Sequence, residues 1–168
     1  MVRLGQKGKI SLMRDCTVVI RGFPNLITSG FDVIRDCTSD RTPDYNCIAW
    51  AAGKVDEWWW PWDISGYTWP KGNGLRFEPP NQETLDNFVH AFKTLGYEDA
   101  DNDLIEDGFE KVAIFTDLNG RPKHAARSLP SGVWTSKLGQ GEDIQHPTLP
   151  SLEGNIYGRA TYFLKRKL

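Results

Sequence analysis

The spacing of apolar residues predicts one clear helix in the middle of the chain. Residues 81–96 read NQETLDNFVHAFKTLG, with Asn81 as a plausible N-cap and Gly96 as a C-terminal stop. The apolar positions share one helical face: Leu85, Phe88, Val89, Phe92 and Leu95. His90 lies off that face and is predicted to be exposed.

After residue 110 the pattern becomes that of β-structure. KVAIF is an apolar strand, Asn119-Gly120 marks a turn, and a second strand begins near Lys123. VWTSKLG and the alternating segment NIYGRATYFLKR predict further strands. Residues 17–34 favour strands or irregular cover. Helices come first and an antiparallel sheet comes last, which predicts an α+β fold.

A short helix is predicted within PDYNCIAWAAG, residues 43–53. Asp44 or Asn46 can cap it and Gly53 can end it. Cys47 would then lie in the first turn, where unpaired N–H groups and the helix dipole favour an anion. A thiolate is such an anion, so the position predicts a lowered thiol pKa.

A cysteine nucleophile needs a base, and His124 at the start of a predicted strand is the candidate. The third residue, which would orient the imidazole, is predicted to be Asp143, because a carboxylate also stabilises imidazolium. Glu142 and His146 are the alternatives for that role.

Substrate-contacting groups are predicted around this triad. The Cys47 N–H together with Asn46 or Tyr45 would stabilise an oxyanion. Counting across the turn at 130–132 places Leu138 opposite His124, so Ser136 would neighbour that histidine.

The order of a cysteine at a helix start and a histidine on a strand resembles the papain-like thiol hydrolases, including the NlpC/P60 and CHAP amidases. That resemblance implies a papain-like fold, although the signatures DCSG and HVGI are absent. The blocks YNCIAWAAG, WWWPW, KVAIF, KHAARSL and WTSKLG are similar to an uncharacterised family of bacterial domains, over roughly residues 23–164. That family brings no established activity.

The cysteines and histidines also allow a structural or a metal-binding interpretation. Cys47 in an apolar helix can be a buried small hydrophobe. Cys47, His124 and His146 could hold zinc, but the paired spacing of zinc motifs is missing, and no metal or cofactor is predicted. Cys16 and Cys37 are interpreted as structural. A disulfide scaffold is not expected, and the odd count of three cysteines predicts at least one free thiol.

Seven tryptophans are many for 168 residues, and five of them lie in residues 58–69. Pro61 and Gly66 interrupt that stretch, so it is not one amphipathic helix. Core packing against Trp50 and the long helix is the favoured interpretation. A binding surface that includes Trp50 and Trp59 is the alternative, because aromatic rings stack on sugars and peptide planes.

Composition limits the class of function. A length of 168 residues suits a single domain, with its core at about 17–164, and the net charge of -2 gives no drive toward nucleic acid or anionic membranes. Neither a bilayer-length apolar run nor a Sec signal is present, which predicts a chain that is cytoplasmic as synthesised, with signal-independent secretion as the alternative.

The sequence therefore predicts a cysteine hydrolase of peptide, isopeptide or peptidoglycan amide bonds. A toxin effector is one biological role that such an enzyme could have. Transfer to an amine would use the same residues. The alternative is a non-catalytic binding module with a tryptophan-rich surface.

Overall fold

The computed structural model describes residues 16–61, 69 and 83–168. Its helices are α1 (Thr17–Gly22), α2 (Asn25–Thr28), α3 (Cys47–Ala51) and α4 (Leu85–Lys93). Its strands are β1 (Glu98–Asp99), β2 (Phe109–Thr116), β3 (Pro122–Ser128), β4 (Trp134–Lys137), β5 (Asp143–His146) and β6 (Arg159–Lys167). A 3-10 helix, Leu149–Leu152, lies between β5 and β6.

The strands form one six-stranded sheet in the order β1-β6-β2-β3-β4-β5, and every neighbouring pair is antiparallel. The predicted papain-like α+β fold is wrong. The described chain is dominated by the sheet, its α-helices are only four to nine residues long, and a further helical turn separates the last two strands. Such short segments cannot form a helical layer of their own.

Two hydrophobic cores lie on the two faces of the sheet. On one face, here called the α3 side, α3 and α4 pack against apolar residues of β2, β3 and β6. On the other, here called the α1 side, α1, α2 and the 3-10 helix pack against the alternate residues of the same sheet. Side chains alternate along a strand, so Ala125 belongs to the α3 side and Ala126 to the α1 side.

The two helices predicted from the pattern are present. Asn46 caps α3, with its side-chain oxygen accepting from the Ala49 N–H at 3.0 Å. Thr84 caps α4 by accepting from the Asn87 N–H, while Asn81 lies outside the described residues. On α4, Phe88 and Phe92 are buried and His90 is exposed, as the periodicity predicts.

Residues near both ends of the sequence depart from the pattern. Strands in residues 17–34 are not found; that region instead forms α1 and α2. Each is too short for a helical period to stand out, and Pro24 at the N-cap of α2 separates them. Residues 143–146, for which no strand is predicted, pair with β4 as the edge strand β5.

Cys16 and Cys37 form a disulfide with a Cα–Cα distance of 6.0 Å, and Cys47 is a free thiol, which confirms that at least one is free. The disulfide attaches the start of α1 to residues 36–38, which pair with β5 through the Cys37–Ile144 bridge. Among the described residues no helix has the length and apolarity needed to cross a membrane.

Removal of this disulfide is expected to destabilise the fold. The two cysteines are 21 residues apart in sequence, and a loop of that size corresponds to about 3 kcal/mol of lost stability. Urea unfolding of a Cys16→Ser/Cys37→Ser double variant measures this difference. Reduced wild-type protein is the matched control and should unfold at the same midpoint. Equal midpoints for oxidised protein and double variant would contradict the prediction.

Candidate functional site

Three buried side chains on β3, β4 and β5 form a continuous hydrogen-bonded chain on the α1 side of the sheet. His124 Nε2 lies 2.9 Å from Ser136 Oγ, and Ser136 Oγ lies 2.9 Å from His146 Nε2. His146 Nδ1 lies 2.9 Å from the Thr148 carbonyl oxygen. We call this arrangement the His–Ser–His chain. It confirms that Ser136 neighbours His124.

The direction of each bond in the His–Ser–His chain follows from its last member. A carbonyl oxygen can only accept, so His146 Nδ1 carries the proton and its Nε2 is an acceptor in the neutral ring. Ser136 therefore donates its O–H to His146. The remaining Ser136 lone pairs accept from His124, so the proton of neutral His124 is on Nε2 and its Nδ1 is a bare lone pair.

Burial keeps both imidazoles neutral. His124 and His146 are almost completely excluded from solvent. Desolvation lowers the pKa of His146 to about 4, against a smaller opposing effect of its bond to Thr148. Desolvation, and then repulsion from His146, holds the pKa of His124 well below its usual range. The His–Ser–His chain is therefore uncharged at neutral pH.

Aromatic rings hold the His124 imidazole in place. Tyr157 stacks on it with ring centroids 4.0 Å apart and planes 9° apart. Phe115, which faces His124 across β2 and β3, meets its ring nearly edge-on at 5.3 Å. Phe23 packs on Tyr157 with centroids 4.9 Å apart. Stacking, edge contact and the Ser136 bond together leave the imidazole little freedom to rotate.

Cys47 begins α3 on the α3 side and is 6% exposed. Desolvation raises the pKa of the Cys47 thiol to about 11, so the lowered pKa expected from the helix start is not found. The backbone N–H groups of Ala125, Ile48 and Cys47 act in the opposite direction, because they favour a negative sulfur. At neutral pH the resting group is a buried, protonated thiol.

The thiol and the imidazole are attached to adjacent parts of the fold but form no hydrogen bond. Helix α3 packs on β3, and the Ala125 amide beside the Cys47 sulfur belongs to the residue that follows His124. Strand alternation turns Ala125 toward α3 and the His124 ring toward Tyr157. The Nδ1 atom of His124 is buried and has no hydrogen-bond partner in the structure described.

Asp143, the predicted third residue, lies on the α3 side, where its side chain is hydrogen-bonded to Tyr45 and not to His124. Its Oδ2 accepts from the Tyr45 hydroxyl at 2.5 Å, and its Oδ1 is buried without a partner in the described structure. Burial raises the pKa of Asp143, against the opposing hydrogen bond from Tyr45 and the charge of Lys137. Lys137 donates to the carbonyls of Thr42 and Gly141 and lies over the Tyr45 ring.

Residues 36–165, which carry all of these groups except Phe23, match a family described as a domain of unknown function, DUF7689. The chain belongs to this family. Membership confirms the resemblance to an uncharacterised domain family, while nothing found supports a papain-like relationship. Comparisons with curated proteins and with solved structures found no match.

In this DUF7689 domain, the predicted oxyanion donors are already hydrogen-bonded. The Asn46 amide donates to the Trp59 carbonyl at 2.8 Å while its oxygen caps α3. Tyr45 donates to Asp143. Both side chains therefore fix α3 against its surroundings. Glu142 lies in the β4–β5 turn, where its carbonyl accepts from Leu138 at 2.9 Å.

The tryptophans of the DUF7689 domain that the structure describes pack mainly as core. Trp59 is buried against Trp69, and Trp60 meets Phe88 of α4 edge-on. Trp50 donates to Thr135 at 3.1 Å, and Arg127 lies over its ring. The favoured interpretation of core packing is confirmed for these side chains. Trp62 lies outside the described residues.

Two open clefts occur among the described residues, and one of them is lined by a member of the His–Ser–His chain. One of about 390 Å³ is lined by His146, with Arg35, Asp36 and Gln145 around it. The other, of about 690 Å³, is lined by polar residues of the β2–β3 turn and by the loop that carries Tyr157. Among the described residues no group of three His, Cys, Asp or Glu side chains is arranged to hold a metal.

Sequence reasoning missed Tyr157 and the linking role of Ser136. Tyr157 lies in NIYG, which reads as the start of a strand, and nothing local marks it as a neighbour of a histidine 33 positions earlier. Ser136 was detectable through the β3–β4 register, which the alternating pattern indicates. Its second bond, to His146, required β5 to be recognised as a strand.

Replacing Ser136 by alanine is expected to cost more stability than removing an ordinary buried hydroxyl. Ser136→Ala leaves the Nε2 atoms of both histidines buried without partners, at about 1–3 kcal/mol for each. Ser151→Ala is the matched control, since Ser151 is also buried and, within the described part of the chain, its hydroxyl bonds to Thr148 alone. Urea unfolding compares the two; equal losses would show that the His–Ser–His chain contributes nothing special.

Proposed function

We propose that this protein is a cysteine hydrolase of amide bonds in peptide-like substrates, with Cys47 as nucleophile and His124 as its base. The observation that carries the proposal is the buried, bare Nδ1 of His124. A neutral imidazole whose other nitrogen is bonded to serine has one free lone pair, which is what a general base requires. Buried polar atoms are rarely left unpaired without a reason.

The position of Cys47 gives the proposal its second support. Three backbone N–H groups favour negative charge at the sulfur, and one of them is on the residue next to His124. A thiolate formed during attack would therefore meet amide dipoles in a largely buried site. Because both groups are neutral at rest, proton transfer has to accompany attack rather than precede it.

The reaction can be written with all protons placed. The Cys47 sulfur attacks the acyl carbon while its proton passes to His124 Nδ1 through one bridging water, since the two groups form no direct hydrogen bond, and His124 then returns that proton to the leaving amine as the amide bond breaks. Water next attacks the thioester and gives one proton to His124; the C–S bond then breaks, the acyl group leaves as a carboxylic acid, and His124 returns the proton to the Cys47 sulfur to regenerate the thiol. Ser136 holds Nε2 throughout, and His146 holds Ser136.

Acetylation by p-nitrophenyl acetate tests the proposal. We expect mass spectrometry to find an acetyl group on Cys47, and p-nitrophenol release to continue past one equivalent as the thioester hydrolyses. Cys47→Ala and His124→Gln should abolish both the acetylation and the p-nitrophenol release. His90→Gln, on the exposed face of α4, should leave both unchanged. Accumulation of acetylated Cys47 that turns over only with an added amine would indicate a transferase. Absence of acetylation would refute the proposal.

A second candidate is a non-catalytic binding module. The burial of Cys47 and of His124 favours it, since a resting thiol with a pKa of about 11 behaves as a small core hydrophobe. In that case the His–Ser–His chain serves only to satisfy polar groups under the sheet. The acetylation experiment separates the two candidates, because a core thiol does not form an acyl intermediate.

A further inference from the structure

We infer that Tyr157 is a positioning residue for His124: its ring fixes the imidazole and stabilises the protonated ring by lying flat on it. This inference rests on the proposed function. The 4.0 Å centroid distance and 9° plane angle are those of two rings in full face contact. The negative face of an aromatic ring attracts a cation, so the contact strengthens when His124 gains a proton.

That stabilisation addresses a specific difficulty of the site. Burial disfavours the imidazolium form, and among the described residues no carboxylate is bonded to His124. Neither Ser136 nor neutral His146 carries a compensating charge. Of the two aromatic rings that contact the imidazole, Tyr157 is the one that presents its face flat against it, and this face attracts the positive charge that protonation brings. Its phenol stays neutral, because burial raises the pKa of Tyr157.

The loop that carries Tyr157 is built to hold the ring still. Gly154 and Gly158 exchange two backbone hydrogen bonds, at 3.0 and 2.7 Å, which closes the loop on itself. Gly158 has a φ of +75°, and a Cβ there would overlap the carbonyl oxygen of Thr116 at the end of β2. Phe23 also packs on the tyrosine ring, with centroids 4.9 Å apart.

Three variants separate the roles of the ring, the hydroxyl and the loop. Tyr157→Phe keeps the stacked ring, Tyr157→Met fills similar space without an aromatic face, and Gly158→Ala displaces the loop while leaving the tyrosine intact. Tyr162→Leu is the control, since Tyr162 is half-buried and bonds to Asp99 on the α3 side. All four are measured by imidazole ¹⁵N NMR and by the rate of Cys47 acetylation from p-nitrophenyl acetate.

We expect wild type, Tyr157→Phe and Tyr162→Leu to show His124 protonated on Nε2 alone and to acetylate at similar rates. Tyr157→Met and Gly158→Ala should show mixed tautomers and at least tenfold slower acetylation. Retention of the single tautomer and of the rate in Tyr157→Met would overturn the inference, as would a Tyr157→Phe variant as slow as Tyr157→Met.

The NMR measurement allows the positioning role of Tyr157 to be tested independently of the proposed hydrolase activity. If wild type is not acetylated, the hydrolase proposal fails, and the positioning role is judged from the tautomer of His124 alone. If one variant does not fold, the other still decides, because Tyr157→Met and Gly158→Ala disturb the contact from different sides.

Discussion

Alkylation of Cys47 by iodoacetamide is expected to proceed at a nearly constant rate between pH 6 and 8. An unassisted thiol with a pKa of about 11 reacts only as its thiolate, so its rate rises tenfold per pH unit over that range. General-base attack has a different pH dependence. The thiol and His124 are both neutral across the range, so the reactive combination has a constant population.

His124→Gln should restore the tenfold rise per unit and should lower the rate at pH 6 by roughly a hundredfold, the lower range for a positioned base. Labelling is measured by mass spectrometry, which is simple here because Cys47 is the free thiol and the other two cysteines form a disulfide. The control is His90→Gln, which should behave as wild type.

Two results would contradict this prediction. A wild-type rate that climbs with pH as steeply as that of His124→Gln would show that the histidine does not act on the thiol. A native protein that is not labelled, while unfolded protein is, would show that the thiol cannot reach an electrophile. Either result would favour the binding module.

Acid is expected to destabilise the fold between about pH 6.5 and pH 4. The folded-state pKa of His146 is about 4, below the unfolded value of about 6.5. Above pH 6.5 both states are neutral and the stabilising contribution is complete. As the pH falls, the unfolded chain binds the proton first, so the free energy of unfolding decreases by about 1.4 kcal/mol per unit.

Summed over that interval, His146 alone accounts for about 3 kcal/mol, and His124 acts in the same direction because its pKa is also lowered. Urea unfolding at a series of pH values measures the slope. His146→Gln should flatten it, whereas His90→Gln should leave it unchanged. An unchanged slope in His146→Gln would show that His146 is not buried in neutral form.

Local chemistry made part of this fold predictable. The α4 stripe, the Asn46 cap of α3 and the Asn119-Gly120 turn depend on residues within one or two turns of each other, and all three are found. The turn between β3 and β4, at residues 130–132, fixes the register of those two strands, which is why the contact between His124 and Ser136 could be anticipated.

The predicted fold class was wrong because the order of helices and strands along the sequence does not determine how large a part of the fold the helices make up. Short helices with strong caps look like parts of a helical layer until their lengths are known. Position in the sequence also left the third residue of the site open between Asp143, Glu142 and His146, since Asp143 and His146 lie on the same strand but face opposite sides. Alternation along β5 decides which of them shares a face with His124.

By itself, then, the sequence determined the two principal helices, the antiparallel strands of the β2–β3 hairpin, and a cysteine and a histidine as the reactive candidates. Only the tertiary structure decided that the thiol is neutral and buried, that Ser136 joins two histidines, and that Tyr157 covers one of them. Burial, proton placement and ring stacking arise from residues that are distant in the chain, and no local pattern records them.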